Sequence, residues 1–309
     1  MTIPVVSLAD DRLDVAGRVD EALSSIGFMV VIDHGVPEQI VNDAWDAAVD
    51  FFALPDSEKE RLIVEGPYGY SPFRGEALAR SRGDESPPDL KESFNLGPFQ
   101  RSAAELHAFG VPADGIVWPS EPQGFRAAWT AYYKAMDALT MRLLAIMAIA
   151  LEVEPSYFAA AFRSHMSALR ALHYPALAEA PEPGQLRAGV HTDYGSLTIL
   201  LPGARSEGLD VKTRSGEWLP VPAMAGAFVV NIGDVMERWS NDRWVSTLHR
   251  VVVPADPDEA RRERFSMAYF QNPSVDALIE VVPTAGAPRY EPVRFGDWLA
   301  AKVSAAYGS

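Results

Sequence analysis

Two histidines and one aspartate have the residue types and the spacing of a metal site. His191 and Asp193 stand two apart in His191-Thr192-Asp193, and residues i and i+2 of a strand share a face. His249 comes later in the chain, directly before the predicted strand Arg250–Val253, which is rich in valine. Two histidines and one carboxylate can form a facial triad with open coordination positions, which suits iron(II) oxygen chemistry. The spacing alone fits zinc or manganese equally, and a chance His-x-Asp pair beside a core histidine is the simpler alternative.

A second pair of side chains has the spacing of a carboxylate-binding site. Arg264 and Ser266 are two apart on a predicted strand and therefore share a face. A guanidinium group offers a rigid fork of donors that fits a carboxylate, and the serine hydroxyl adds another donor. The alternative is a solvated surface arginine, because Arg261 and Arg262 stand beside Arg264 in the sequence.

Bulk composition limits the partners and the chemistry. The net charge is −15 and the sequence pI is about 4.8, so phosphate backbones and anionic lipid surfaces should repel the chain. The absence of cysteine excludes disulfides, thiolate metal sites and a cysteine nucleophile. The first residues resemble no signal peptide, and the apolar run Leu143–Leu151 is too short to span a bilayer. We therefore expect a cytoplasmic protein that acts on a small molecule and binds neither nucleic acid nor membrane.

The elements that must position these side chains can be predicted from hydrophobic periodicity and turn residues. The first third of the chain alternates strands and helices, and a long helix and a closing helix follow: strand Ile3–Ser7, helix Asp11–Ile26, strand Phe28–Ile32, helix Pro37–Leu54, an ordered loop Pro67–Pro98, helix Gln123–Leu151 and helix Phe295–Tyr307. Between the last two helices we predict eight short strands: Leu169–Tyr174, Ala188–His191, Leu197–Leu201, Leu209–Lys212, Trp218–Val221, Phe228–Ile232, Arg250–Val253 and Arg264–Phe270.

Short strands at this spacing indicate an antiparallel sandwich or jelly roll. The prediction is a mainly β fold with flanking helices, in which residues 1–309 form one compact unit. Residues 1–122 would supply an N-terminal helix and strand region with a substrate loop. Residues 123–309 would supply the long helix, the jelly-roll core with the metal site, and the C-terminal helix.

Motifs along nearly the whole chain resemble those of one enzyme family. The segments that carry the resemblance are Ile3-Pro4-Val5-Val6, Asp33-His34-Gly35-Val36-Pro37, Phe51-Phe52-Ala53-Leu54-Pro55, Leu169 to Pro175, His191 to Thr198, Asn231-Ile232-Gly233-Asp234, Ser246 to Val251 and Arg264-Phe265-Ser266. In these segments the chain resembles the isopenicillin N synthase-like family of 2-oxoglutarate and iron(II)-dependent oxygenases.

The resemblance implies a fold, a cofactor set and a reaction. The fold would be a distorted double-stranded β-helix, with Fe(II) held by His191, Asp193 and His249. Arg264 and Ser266 would hold the distal carboxylate of 2-oxoglutarate, and Tyr174 would donate a hydrogen bond to it. With O2, oxidative decarboxylation of 2-oxoglutarate to succinate and CO2 would be coupled to oxidation of a small molecule, usually hydroxylation. Leu172 stands where many relatives have asparagine.

Six further residues are candidates for contacts with the primary substrate. Arg74, Lys91 and Ser93 lie in the loop expected to cover the site, although hydrogen bonds that stabilise the loop explain them equally well. The other three candidates follow Arg264 and Ser266 along the chain, at or just after the end of the same predicted strand: Tyr269, Gln271 and Asn272.

Three other function classes stay open at this point. Some family members keep Arg-x-Ser for a substrate carboxylate and do not use 2-oxoglutarate, as isopenicillin N synthase does. A non-catalytic binding protein would be expected to have lost a metal ligand, and a zinc hydrolase would not need Arg264 and Ser266.

Overall fold

Runs of β-branched and aromatic residues, separated by turn residues, form most of the structure's strands. The computed structural model describes residues 2–307 apart from 65, 67, 84, 99–116 and 204–206. The strands are β1 Val5–Ser7, β2 Phe28–Ile32, β3 Gly69–Ser71, β4 Glu92–Leu96, β5 Ala168–Tyr174, β6 Ala188–His191, β7 Leu197–Pro202, β8 Leu209–Lys212, β9 Trp218–Pro220, β10 Phe228–Ile232, β11 His249–Val251, β12 Arg264–Gln271, β13 Leu278–Ile279 and β14 Val293–Arg294.

The helices come mainly from the two ends of the chain and from its middle. They are α1 Arg12–Ser25, α2 Glu38–Phe52, α3 Asp56–Lys59, α4 Phe125–Ala150, α5 Asp234–Trp239, α6 Pro257–Ala260 and α7 Phe295–Tyr307. Asp11 caps α1, because its carboxylate accepts a hydrogen bond from the backbone N–H of Leu13.

Two sheets face each other across the site. Within the described residues, the larger sheet has eight strands in the order β1-β2-β10-β7-β12-β5-β4-β3, and the smaller has four in the order β6-β11-β8-β9. The β1–β2 pair is parallel, and the other pairs described in these two sheets are antiparallel. The result is the jelly-roll architecture predicted from the strand pattern, with strands from the N-terminal third added at both edges of the larger sheet.

The larger sheet has one face toward the helices and one toward a cavity. Side chains alternate between the two faces of a strand, and β12 illustrates this. Met267 and Tyr269 are buried in the core on the helix side, whereas the alternate residues line the cavity: Arg264, Ser266, Ala268 and Phe270.

The long helix α4 covers the helix side of this sheet. It packs against α1, α2, β7 and β12 through aromatic residues such as Phe125, Trp129 and Tyr133, which are buried. The indole N–H of Trp129 donates to the carbonyl of Ala44 in α2 at 3.2 Å. The predicted role of this helix, packing on the outside of the β core, is confirmed.

The region Pro67–Pro98 is not the ordered loop that the sequence predicts, because part of it is strand. It contains β3 and β4, and Glu92 to Leu96 pair with His173 to Leu169 of β5. Glycine, proline and serine obscured these two strands, because sheet pairing with distant residues outweighs local propensity. A smaller difference is that His249 lies inside β11 rather than before it.

Candidate metal and co-substrate site

The two predicted metal histidines lie opposite each other on neighbouring strands. His191 ends β6 and His249 begins β11, and the two are direct partners in the antiparallel register. Their ring centroids are 4.2 Å apart. Because directly opposite residues of an antiparallel pair point to the same face, strand pairing brings together two residues that are distant in sequence.

Both imidazole rings present the same nitrogen to the space between them. Nδ1–H of His191 donates to the carbonyl of Gly189 at 2.7 Å, and Nδ1–H of His249 donates to the carbonyl of Thr247 at 3.0 Å. A carbonyl oxygen can only accept, so in each neutral ring the proton lies on Nδ1 and the lone pair on Nε2. Each histidine is thus prepared to bind a metal through Nε2.

The carboxylate of Asp193 is oriented by two hydrogen bonds to one of its oxygens. Oδ2 accepts from the hydroxyl of Thr198 at 2.6 Å and from the side-chain amide of Asn231 at 2.7 Å. Oδ1 lies 4.0 Å from Nε2 of His191 and 3.8 Å from Nε2 of His249. Within the described part of the chain, these three residues are the group whose ligand atoms could hold a metal, all within 4.8 Å of one another.

The protonation preferences of the site favour a cation. Burial lowers the pKa of His191 to about 3, with the charge of His249 adding to the effect. For Asp193, burial alone would raise the pKa, but the two histidines and the hydrogen bonds from Thr198 and Asn231 outweigh it, so the pKa is lowered. A neutral imidazole and an ionised carboxylate are the forms that coordinate metals.

Glycines allow the loop after Asp193 to pack closely on the start of α5. A Cβ at Gly233 would lie 2.4 Å from the carbonyl oxygen of Gly195 and 2.6 Å from that of Asp193. The backbone N–H of Asp234 donates to the carbonyl of Asp193 at 2.9 Å. These contacts fix the backbone that carries the carboxylate.

The three side chains open into a cavity of about 300 Å³ between the two sheets. Among the residues that line it, Arg264, Ser266 and Tyr174 lie toward one end of the β12–β5 pair, which we name the carboxylate end. Phe270, Asn272 and Arg170 lie toward the other end of these strands, which we name the substrate end. Apolar residues such as Leu200, Leu209 and Val251 also line the cavity.

Arg264 at the carboxylate end is buried without an acidic partner among the described residues. It is 5% exposed, and its guanidinium lies over the ring of Tyr174 at 4.7 Å. Nε donates to the backbone carbonyl of Glu207 at 3.3 Å and Nη1 donates to the hydroxyl of Ser266 at 3.3 Å. Burial lowers the pKa of Arg264. A buried charge of this kind needs an anion, so the donor set fits a ligand carboxylate.

The substrate candidates from the N-terminal loop lie in different places. Arg74 is exposed over the ring of Phe73. Lys91 is buried, and its ammonium forms ion pairs with Asp89 and with Glu76, the latter at 3.1 Å. Ser93 is buried and accepts a hydrogen bond from Arg170 at 2.9 Å. None of these three side chains lines the cavity.

The candidates from the end of β12 separate by strand face. Tyr269 is packed in the helix-side core, with its ring 5.1 Å from that of Tyr133. Gln271 faces the same side and contacts the sulfur of Met141. Asn272 does line the cavity, and its side-chain amide donates to the carbonyl of Met166 at 3.2 Å. Strand alternation from Arg264 could have excluded Tyr269 and Gln271 from the sequence alone.

Sequence reasoning missed several residues that the structure places at the site. Thr198 and Asn231 lie in the family motifs, but nothing in the sequence joined them to Asp193. Arg170, on the cavity face of β5, forms an ion pair with Glu76, a residue far away in sequence. Leu172, noted from the family resemblance, lines the cavity and makes this position of the wall apolar.

Two sheets enclosing a histidine–aspartate–histidine site and a buried arginine define a jelly-roll metalloprotein. Comparison with known proteins then identifies the family within this class. The 2OG-Fe(II) oxygenase superfamily model matches residues 165–273, and the model named non-haem dioxygenase in morphine synthesis N-terminal matches residues 3–120.

Individual proteins resemble the chain over nearly its whole length. The 2-oxoglutarate-Fe(II) type oxidoreductase hxnY of Emericella nidulans is 32% identical, with 94% of this chain and 84% of the relative covered. Validamycin A dioxygenase of Streptomyces hygroscopicus subsp. limoneus is 29% identical, with 97% and 86% covered. The crystal structure of a full-length Neurospora crassa protein in complex with alpha-KG has a TM-score of 0.86 and 30% identity, covering 99% of this chain and 96% of that one.

The chain belongs to the 2-oxoglutarate and iron(II)-dependent oxygenases. It is an oxidoreductase that uses Fe(II), 2-oxoglutarate and O2, and it couples oxidative decarboxylation of 2-oxoglutarate to oxidation of a small molecule. The family and cofactors inferred from the sequence motifs are confirmed. Among the described residues, no helix combines the length and the apolar character needed to cross a membrane.

Proposed function

We propose that His191, Asp193 and His249 hold the iron(II) of this oxygenase. The observation that carries this proposal is the convergence of two Nε2 atoms and one carboxylate oxygen, while Nδ1 of each ring and Oδ2 of Asp193 are engaged elsewhere. Hydrogen-bonded outer partners of this kind set the tautomer and orientation of metal ligands. When bound, iron and 2-oxoglutarate supply the activation of O2.

Arg264, Ser266 and Tyr174 form the proposed binding site for the distal carboxylate of 2-oxoglutarate. The guanidinium neutralises the carboxylate and Ser266 donates its hydroxyl hydrogen. The ring of Tyr174 lies against the guanidinium, which restricts the orientations that Arg264 can adopt. Apolar neighbours such as Leu172 and Leu200 exclude water from this end of the cavity, which strengthens the electrostatic attraction.

The substrate end of the cavity is proposed to bind and orient a small molecule. Arg170 is positioned there by its ion pair with Glu76 and its hydrogen bond to Ser93. Lys91 forms ion pairs with both Glu76 and Asp89, so Arg170, Glu76, Lys91 and Asp89 form one ionic network. We assign Lys91 and Ser93 to the support of Arg170, and Arg170 and Asn272 to contact with the substrate. Arg74, Tyr269 and Gln271 lie off the cavity wall, so a substrate role for them stays a prediction without support from their positions.

Two further proposals concern the whole chain: that it acts as one unit, and which partners it does not bind. Residues 1–309 are proposed to act as one unit, since β1 to β4 of the N-terminal third extend the sheet that carries Arg264. A net charge of −15 supports the proposal that neither nucleic acid nor an anionic membrane surface is a partner. The cytoplasmic location stays a prediction.

The test combines metal stoichiometry with product analysis. Purified protein loaded anaerobically with Fe(II) should bind one iron per chain, and on exposure to O2 with 2-oxoglutarate should release succinate and CO2. His191→Ala, Asp193→Ala and His249→Ala should each lose most iron affinity and succinate release. Full iron affinity and turnover in His249→Ala would refute the ligand set. Iron binding without 2-oxoglutarate binding would instead indicate a co-substrate-independent oxidase.

A screen of small molecules addresses the substrate end separately. A substrate should raise succinate release above its uncoupled rate, and Arg170→Met should weaken that stimulation while leaving 2-oxoglutarate affinity unchanged. Equal stimulation of Arg170→Met and wild type would remove Arg170 from the substrate contacts.

A further inference from the structure

A second buried arginine lies behind the carboxylate end of the cavity. Arg187 directly precedes β6 and is 2% exposed. Its Nη2 group donates to the backbone carbonyls of Arg262 at 2.9 Å and of Ala260 at 3.4 Å. These carbonyls belong to the turn that leads into β12, where Arg264 is the first residue. Arg187 therefore holds the segment that carries Arg264, the residue proposed to bind the distal carboxylate of 2-oxoglutarate.

Within the part of the chain that the structure describes, the charge of Arg187 has no acidic partner at ion-pair distance. Neither Arg187 nor Arg264 forms an ion pair with any described residue, and Nε of Arg187 has no hydrogen-bond partner there. Burial lowers the pKa of Arg187, and the charge of Arg264 lowers it further, so the two cations affect each other. Two like charges buried together are unfavourable unless an anion joins them.

Hydrogen bonds to carbonyl oxygens stabilise a guanidinium but do not neutralise it. A neutral donor could have served as well if Arg187 only tied β6 to the turn before β12. The carboxylate end of the cavity is the place where a bound anion would come close to both charges. Arg264 lines it, Arg187 holds the carbonyls of the turn before Arg264, and the charge of Arg187 interacts with Arg264 and Tyr174.

We propose that Arg187 is a positioning residue for 2-oxoglutarate, whose buried charge acts together with Arg264 on the distal carboxylate. This inference rests on the proposed co-substrate site. Arg187 does not line the cavity, so it acts through the field of its charge and through the turn at residues 260–262. The pair of arginines makes the site selective for a 2-oxo acid that carries a second carboxylate.

The experiment compares two ligands that differ in the distal carboxylate. Calorimetry under anaerobic conditions measures binding of 2-oxoglutarate and of 2-oxobutyrate, which lacks that carboxylate, to the Mn(II)-loaded full chain. The variants are Arg187→Met, Arg187→Gln, which keeps a donor for the two carbonyls, and Arg187→Lys, which keeps the charge. Metal affinity and the thermal midpoint of unfolding show whether each variant folds.

The charge proposal predicts a specific pattern. A unit charge close behind a poorly hydrated carboxylate changes affinity on the order of tenfold. Arg187→Met and Arg187→Gln should lose about that factor for 2-oxoglutarate and little for 2-oxobutyrate, while Arg187→Lys keeps most of the wild-type preference. Should Arg187→Met fail to fold, the comparison of Arg187→Gln with Arg187→Lys decides the question.

Other patterns overturn the inference. Unchanged 2-oxoglutarate affinity in Arg187→Gln removes Arg187 from co-substrate binding. Equal losses of affinity for both ligands would show that Arg187 acts only by holding the turn at residues 260–262 in place. A loss in Arg187→Lys as large as in Arg187→Gln would show the same. Wild-type protein that binds Mn(II) but not 2-oxoglutarate would overturn the proposed co-substrate site itself, which is a different result from a variant that merely matches wild type.

Discussion

The hydroxyl of Thr198 provides a direct test of how Asp193, the proposed carboxylate ligand of the metal, is held. It donates to Oδ2 of Asp193 at 2.6 Å, and both residues are buried. Thr198→Val removes this donor and nearly preserves the shape. A hydrogen bond to a charged group contributes about 1.5–3 kcal/mol, which corresponds to roughly 10- to 150-fold in an equilibrium constant. The amide of Asn231 still holds the same oxygen, so we expect the lower part of that range, about tenfold, in metal affinity.

Anaerobic titration with Fe(II), or with Mn(II) in air, measures this affinity without requiring turnover. Thr198→Ser is the matched control, because it keeps the hydroxyl and loses only the methyl group, and it should bind metal nearly as well as wild type. Thr198→Val with wild-type metal affinity would show that Oδ2 does not need its hydroxyl partner. Equal losses in both variants would assign the effect to packing of the methyl group.

Three further substitutions probe the proposed carboxylate site, the backbone around Asp193 and the ion pairs of Glu76. Arg264→Met should weaken 2-oxoglutarate binding by roughly a hundredfold or more, since breaking one side of a buried charge pair costs about 3–5 kcal/mol, while Arg262→Met, at an exposed position, should bind normally in the same titration. Gly233→Ala should destabilise the protein by about 1–3 kcal/mol in denaturant unfolding, because its Cβ would overlap two carbonyl oxygens, whereas Gly17→Ala, in a helix with open space around it, should not. Burial would raise the pKa of Glu76, but Arg170 and Lys91 outweigh it and lower the pKa from 4.5 to about 2. The stability from this ionised carboxylate is present above pH 4.5 and is lost as the pH falls toward about 2, by up to about 3 kcal/mol. Unfolding of wild type should therefore depend more steeply on pH in that window than unfolding of Glu76→Gln, and parallel curves would contradict the shift.

Much of the fold followed from local patterns in the sequence. Four strand ranges and the closing helix Phe295–Tyr307 match the structure residue by residue. The strands are short runs rich in apolar and β-branched residues, which favour strands locally. Strand β4 was missed, since its first residues, Glu92 and Ser93, are polar and become buried only in the folded chain. Pairing with β5 covers them, and Glu92 also forms an ion pair with Lys59.

The site was predictable where chemistry and spacing coincide, and not where it depends on long-range contacts. Residue type and spacing mark the histidine–aspartate motif and the Arg-x-Ser pair as candidates. Asp193 contacts Asn231, and Arg170 contacts Glu76. Asp193 lies in the turn after β6 and Glu76 in the loop after β3, so only the folded chain brings these pairs together. The charge of Arg187 could not be interpreted from the sequence either, because its burial beside Arg264 is a property of the fold.

The central claim is that one iron, held by His191, Asp193 and His249, binds 2-oxoglutarate in the cavity that carries Arg264. Anaerobic titration of the Fe(II)-loaded protein with 2-oxoglutarate, followed by the weak visible absorption band of iron chelated by a 2-oxo acid, tests it most directly. We expect a band that saturates at one 2-oxoglutarate per iron in wild type and is absent in Asp193→Ala. A wild-type protein that binds iron but develops no band, or an Asp193→Ala variant with the full band, would contradict it.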